Sequence, residues 1–117
     1  MSNQFSEMVS ALVKPGHQIA EEITADDAHL IHMAIGVSGE AGELLDAVKK
    51  VVIYRKPIDR ENVVEELGDL EFYMEGLRQQ LNITRDETLL ANQAKLAKRY
   101  EGLKYSDQSA ISRADKE

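Results

Sequence analysis

Two long stretches of helical-period hydrophobicity, separated by one short break, set the limits on this fold. Leu30, Met33, Val37, Leu44, Val48 and Val51 recur at the spacing that stacks side chains on one face of an α-helix. They predict a long helix over about residues 26–54, with Thr24 or Asp26 as its cap. Arg55-Lys56-Pro57 ends it, and Asp59 stands as an N-cap before a second stripe of Val63, Leu67, Leu70, Met74, Leu77 and Leu81. Phe5, Met8, Val9 and Leu12 mark a shorter helix over about 3–13, and another turn or two runs through His17–Ile23 after Lys14-Pro15-Gly16. Thr84-x-x-Glu87 has the form of a capping box before a last helix bearing Leu89, Leu96 and Tyr100. Nothing alternates with the period of a strand and nothing repeats. The expected fold is all-α, a bundle of four main helices in one domain spanning 1–117. A polar tail from about 103 is expected to be extended and ordered only against a neighbour or ligand.

Composition narrows the partners. A formal net charge of −7 argues against a nucleic-acid backbone, which needs clustered Lys and Arg, but leaves room for a nucleotide whose phosphates are screened by metal. The absence of cysteine removes disulfides, zinc–thiolate sites and thiol nucleophiles together. No apolar run approaches the roughly 20 residues of a membrane span, and no leader-like segment opens the chain. The expectation is a cytoplasmic protein with neither membrane nor nucleic acid as partner.

Two pairs of carboxylates carry the chemistry: Glu40-x-x-Glu43 on the first long helix and Glu66-x-x-Asp69 on the second. Each pair is spaced to stack on one helix face. Taking Glu40 as origin, Glu43 falls at about −60° while the apolar stripe centres near about +80°; the second pair repeats this phase relative to its own stripe. The acids therefore flank the buried seam instead of opposing it, where unpaired carboxylates repel one another and resist desolvation. A divalent cation relieves that, and oxygen-only donors suit Mg2+ or Mn2+. Spacing alone fits solvated surface acids equally well. Gly36, Gly39, Gly42, Gly68 and Gly76 add weight to a site, because each weakens a helix by up to ~1 kcal/mol against Ala and implies close approach of a backbone or ligand.

Other candidates surround these acids. Asn92, Lys95 and Arg99 share a stripe on the last helix, either an ordinary exposed face or a set of ligands for phosphate oxygens. Lys50 lies on the acid-bearing side of the first long helix. His32, Gly36 and Tyr73 lie on the same stripes and are candidates for a nucleobase pocket, or equally for the edge of the core. His29 and His32 lack the Glu-x-x-His partners of a carboxylate di-iron bundle, which disfavours an iron protein.

At Gly39-Glu40-Ala41-Gly42-Glu43-Leu44-Leu45, at Glu65-Glu66-Leu67-Gly68-Asp69-Leu70 and at Asn92-x-x-Lys95-Leu96-x-x-Arg99-Tyr100, reaching the Tyr105-Ser106 and Arg113-x-Asp115 tail, the chain resembles the MazG-type all-α nucleoside triphosphate pyrophosphohydrolases. The resemblance implies an enzyme that cleaves a nucleoside triphosphate to the monophosphate and pyrophosphate with Mg2+ or Mn2+. It implies Glu40, Glu43, Glu66 and Asp69 as metal ligands, and Lys95, Arg99 and Asn92 as substrate contacts, with Lys50 and Arg113 as weaker ones. Many relatives carry another acid where this chain has Gly39, so the group that positions the attacking water is left unassigned. The short single-domain form resembles phage-encoded members, among them the MazZ group that removes dGTP. That implies (d)GTP as the first substrate to test, a homodimer or homotetramer, and host cytoplasm if phage-encoded. The competing expectation is a non-catalytic helical module that binds a nucleotide or a partner without hydrolysis.

Overall fold

The computed structural model describes residues 2–116, and among them every regular element is helical. α1 (Ser2–Leu12) and α2 (Gly16–Glu22) precede the two long helices, α3 (Ala25–Val52) and α4 (Arg60–Gln80). α5 (Arg85–Arg99) follows, and the chain closes with a 3-10 turn at Glu101–Leu103, α6 (Asp107–Ser112) and a second 3-10 turn at Ala114–Lys116. No helix among the described residues is long and apolar enough to cross a membrane.

Local chemistry explains the boundaries. Thr24 caps α3 with a full capping box: its Oγ1 accepts from the Asp27 N–H at 3.1 Å, and the Asp27 carboxylate accepts from the Thr24 N–H at 3.0 Å. Asp59 caps α4 by accepting from the Asn62 N–H at 3.1 Å, and Thr84 caps α5 by accepting from the Glu87 N–H at 3.0 Å. α3 stops where Arg55 enters the left-handed region at φ 55° and the Lys56 N–H returns to the Lys50 carbonyl at 3.1 Å. Asn82, at φ 56°, closes α4 in the same region, which asparagine tolerates better than most side chains.

Packing departs from the expected bundle. Only α3 and α4 lie along one another, as an antiparallel hairpin; α5 packs instead on the segments that follow it. The radius of gyration is 20.2 Å, against ~13 Å for a compact domain of this length. Met33 and Ala47 are the only apolar side chains counted as buried among the described residues. The stripe residues Leu30, Val37, Leu44, Val51, Val63, Leu70, Met74 and Leu77 are half-buried, because each is covered by one neighbouring helix where a closed bundle supplies two or more. A single chain thus makes a two-helix hairpin with helical arms.

The tail also differs from expectation. Instead of an extended segment, residues 101–116 fold back against α5. Ser106 caps α6 through the Ser109 N–H at 3.0 Å. The Arg99 guanidinium donates to both oxygens of Asp115, at 2.6 and 3.2 Å, with the carboxylate almost wholly buried. That bond holds the Asp115 carboxyl below the usual carboxylate range and pushes Arg99 up.

Candidate metal centre

The hairpin brings Glu40, Glu43 and Glu66 together. One carboxylate oxygen from each lies within 4.8 Å of the others. The juxtaposition follows from phase, though not as expected: Glu40 shares the covered face of α3 with Met33, Gly36, Leu44 and Ala47, and Glu66 that of α4 with Val63, Leu70 and Tyr73, so these two acids stand in the seam itself and not beside it. Glu40 and Glu66 are half-buried, and Glu43 is exposed. Asp69, one turn beyond Glu66 on α4 and exposed, is not part of the cluster.

The electrostatics of the cluster are unfavourable without a positive charge. Glu40 Oε2 and Glu66 Oε2 are buried with no hydrogen-bond partner. The Glu66 carboxyl is pushed up to about 7, first by desolvation, then by hydrogen bonding to Glu40 and Glu43 and by their charge. The missing partners and the hydrogen bonds describe one geometry. Carboxylate oxygens this close repel unless something positive stands between them, and the hydrogen bonds exist only when one acid is protonated. Three hard oxygen donors with two buried, unpartnered atoms fit a divalent cation of the Mg2+ or Mn2+ type.

The remaining sequence candidates divide by element. Tyr73 stands on α4 across from His32, with ring centroids 6.2 Å apart, and packs edge-on against Phe72 at 5.2 Å. Its ring occupies the space where Gly36 would carry a Cβ, and the Met33 Sδ occupies the corresponding space at Gly76. These two glycines are therefore explained by side-chain packing inside the hairpin. Gly39, Gly42 and Gly68 face open space, so the close approach expected at all five is found at two. Lys50, exposed, pairs with Asp46 at 3.3 Å and borders a cavity of about 210 Å3 with Lys56, Asp59 and Asn62.

Asn92, Lys95 and Arg99 lie on α5, which does not run along the hairpin, so this chain does not bring its expected phosphate ligands onto its own acids. Arg99 is engaged by Asp115, and Arg113 sits at the end of α6 with φ 49°. A cleft of about 760 Å3 opens between α5 and the folded-back tail, lined by Lys98, Arg99, Lys104 and Tyr105 among others. It is distinct from the acid cluster.

Two features had no clear signal in the sequence. Arg78 is largely buried, its guanidinium 3.6 Å from Glu71 and its Nε 3.8 Å from Glu75, too far for that Nε to make a hydrogen bond. Its i, i+3 relation to Glu75 is ordinary for a surface pair and gives no hint of burial. The Arg99–Asp115 pair spans sixteen residues and depends on a tail that was expected to be extended.

Comparison with family models, with curated proteins and with solved structures finds no match for this chain.

Proposed function

We propose that the chain is a divalent-cation-dependent pyrophosphohydrolase, converting a nucleoside triphosphate, with (d)GTP as the first candidate, to the monophosphate and pyrophosphate in the cytoplasm. The observation that carries the metal half of this reading is the convergence of Glu40, Glu43 and Glu66 with two buried oxygens left unpartnered. The reaction class is supported by the order and spacing of the three motifs that resemble the MazG-type enzymes.

Glu40, Glu43 and Glu66 would hold Mg2+ or Mn2+, with Asp69 one turn away as a ligand to a second ion or to bound water. Such an ion supplies Lewis acidity toward a phosphoryl oxygen and a lowered pKa for bound water. Glu66, its carboxyl pushed up to about 7 by burial and its acidic neighbours, would give up its proton to ligate a cation. With Gly39 where relatives place an acid, the group that orients the attacking water comes from the same carboxylates. Lys95 and Arg99 stabilise charge on the departing pyrophosphate once an α5 is laid across the hairpin, from the same copy or a second, and Arg99 must first exchange Asp115 for phosphate. His32 and Tyr73, whose rings stand 6.2 Å apart across the hairpin, would be the side chains to flank a base.

A second reading is a nucleotide-binding module without turnover, favoured by the distance of α5 from the acids and by the engagement of Arg99. Pyrophosphate release from a nucleotide panel with Mg2+ or Mn2+, run beside equilibrium binding of the same nucleotides, separates the two. Release that disappears in Glu43→Gln supports hydrolysis; binding without release supports the module.

A further inference from the structure

The basic residues of the hairpin gather at its turn. Between residues 49 and 60 stand Lys49, Lys50, Arg55, Lys56 and Arg60 against Asp59 alone, a local charge of +4 in a chain of −7. All five are exposed. The cavity of about 210 Å3 lies at this end, lined by Ala47 and Lys50 of α3, Lys56 and Pro57 of the turn, and Asp59 and Asn62 of α4. That is below the ~300–1,000 Å3 of pockets that enclose a whole small molecule, so it suits one group of a larger ligand.

Helical phase joins this cavity to the acids. Ala47 follows Glu43 by one turn, Asn62 precedes Glu66 by one turn, and Lys50 repeats the phase of Glu43 one heptad on. The cavity therefore continues the line on which Glu43 and Glu66 converge. The turn that shapes it is held in place. The Ile53 N–H donates to the Lys49 carbonyl at 2.8 Å and the Lys56 N–H to the Lys50 carbonyl at 3.1 Å, while Pro57 restricts its own φ. Asp59 is engaged as the α4 cap, accepting from the Asn62 N–H at 3.1 Å. The donors are free by comparison. Among the described residues Lys56 enters no ion pair and the Asn62 side-chain amide no hydrogen bond. Lys50 holds Asp46 at 3.3 Å in an exposed pair, of the kind that exchanges partners at little cost. Two ammonium groups and an amide around a small cavity, one turn from hard oxygen donors, match a phosphate group whose neighbours in the same ligand sit on a metal.

We propose that this cavity takes the terminal phosphate of a nucleoside triphosphate, with Lys56 and Asn62 joining Lys50 as its donors. The proposal rests on the nucleotide reading above and adds to it two residues and a direction. The base lies toward His32 and Tyr73, about two turns of helix from Glu40 and Glu66, and the phosphate chain runs past the acids to the hairpin turn. Pyrophosphate formed by cleavage of the α–β anhydride is then left on lysines of the hairpin itself, which supplies cations that α5 does not bring to it. The +4 end also draws a polyanion toward a chain that otherwise repels it.

The test uses the full chain with saturating Mn2+. Calorimetry follows binding of guanosine monophosphate, of the α,β-methylene analogue of guanosine triphosphate, which resists cleavage, and of inorganic tripolyphosphate. Lys56→Gln is expected to weaken the analogue about tenfold, the loss of one hydrogen bond to a charged group, and the monophosphate less than about twofold. Lys56→Arg should restore most of that affinity. Lys49→Gln removes the same charge from the same end but outside the cavity, and should cost about threefold at low salt and almost nothing at high salt. Both lysines are exposed, so the variants are expected to keep the helical circular-dichroism signal of wild type. Equal losses in Lys49→Gln and Lys56→Gln, or equal losses on monophosphate and analogue, overturn the pocket. A loss confined to tripolyphosphate overturns the assignment to a nucleotide. Hydrolysis is judged apart from the pocket. Wild type that binds the analogue through Lys56 but releases no pyrophosphate from triphosphates upholds the pocket and overturns turnover. Release with an unchanged KM in Lys56→Gln does the reverse, and wild type that binds neither analogue nor tripolyphosphate overturns both.

Discussion

Two edges of α3, one along its seam with α4 and one away from it, are built from opposite chemistry. One edge carries Glu40 and Glu43 beside Glu66, where burial without a partner raises a carboxyl to about 7. The other carries Ile31, Ile35 and Leu45 beside small residues and no charge. Both are incomplete in the isolated chain, the first for want of positive charge and the second for want of apolar cover. The seam is strong enough to align the helices but buries too little to close a core. A cation would complete the first and apolar cover the second.

The largest expected effect breaks the acid edge. Glu43→Gln or Glu66→Gln removes one of three converging ligands and should reduce cation affinity by more than the ~10–100-fold typical of losing an outer-shell partner. Pyrophosphate release should fall below detection while the helical circular-dichroism signal persists. Mn2+ binding followed by its paramagnetic resonance signal checks affinity without reference to turnover. Asp69→Asn, outside the cluster, should lose less of that affinity than Glu43→Gln; equal losses would place Asp69 among the direct ligands and overturn the geometry.

The next effect uses pH and divides the edges cleanly. Glu66 has a folded pKa of about 7 against an ordinary 4.5, so the folded state holds a proton that the unfolded chain gives up. Its contribution to metal-free stability is full below about pH 4.5 and is lost as pH rises through about 7. In chelator, wild type should melt lower at pH 8 than at pH 6, and Glu66→Gln should flatten that dependence and melt above wild type at pH 8. Saturating Mg2+ should reverse the order at pH 8, because the cation then takes the place of the proton. An apolar-edge variant such as Ile35→Asp should leave the pH dependence from Glu66 in place. If Glu66→Gln melts with wild type at every pH, the strain assigned to this cluster is absent.

The helices were legible in the sequence because their determinants are local. Thr24, Asp59 and Thr84 are side-chain caps that act within three residues, and the stripes on α3 and α4 fix phase along each helix. Phase was enough to bring Glu40, Glu43 and Glu66 to one face. Asp69, one turn further along α4, shares the angular side but lies outside the cluster. Nor did phase foresee the path of α5. The Leu81–Thr84 turn fixes where α5 begins, but its direction is set by long-range packing, and among the described residues α5 packs on the segments that follow it and not along the hairpin. The Arg99–Asp115 pair was out of reach for the same reason, being a contact between a helix end and a tail without periodicity. The acid seam was read from angle alone. The second apolar sector is visible in the same angles, as Ile31, Ile35 and Leu45, but it acquires meaning only when its exposure is known.

The smallest effects come from the glycines, and they sharpen the comparison most. Gly36 and Gly76 are filled by Tyr73 and Met33, so Gly36→Ala should destabilise by the ~1–3 kcal/mol of an overpacked core despite the better helix propensity of alanine. Gly39 lies on the acid edge and Gly42 in the apolar sector, each with open space at the Cβ position. In the chain alone the two substitutions to alanine are equivalent, and each should stabilise α3 by up to ~1 kcal/mol. A helix packed on the apolar edge would remove the equivalence: Gly39→Ala would keep its gain, whereas Gly42→Ala would place a methyl in that contact and lower the midpoint. Chemical denaturation of both variants at one protein concentration measures this difference. Equal gains at Gly39 and Gly42 would mean that no helix approaches the apolar edge as closely as Gly42 allows.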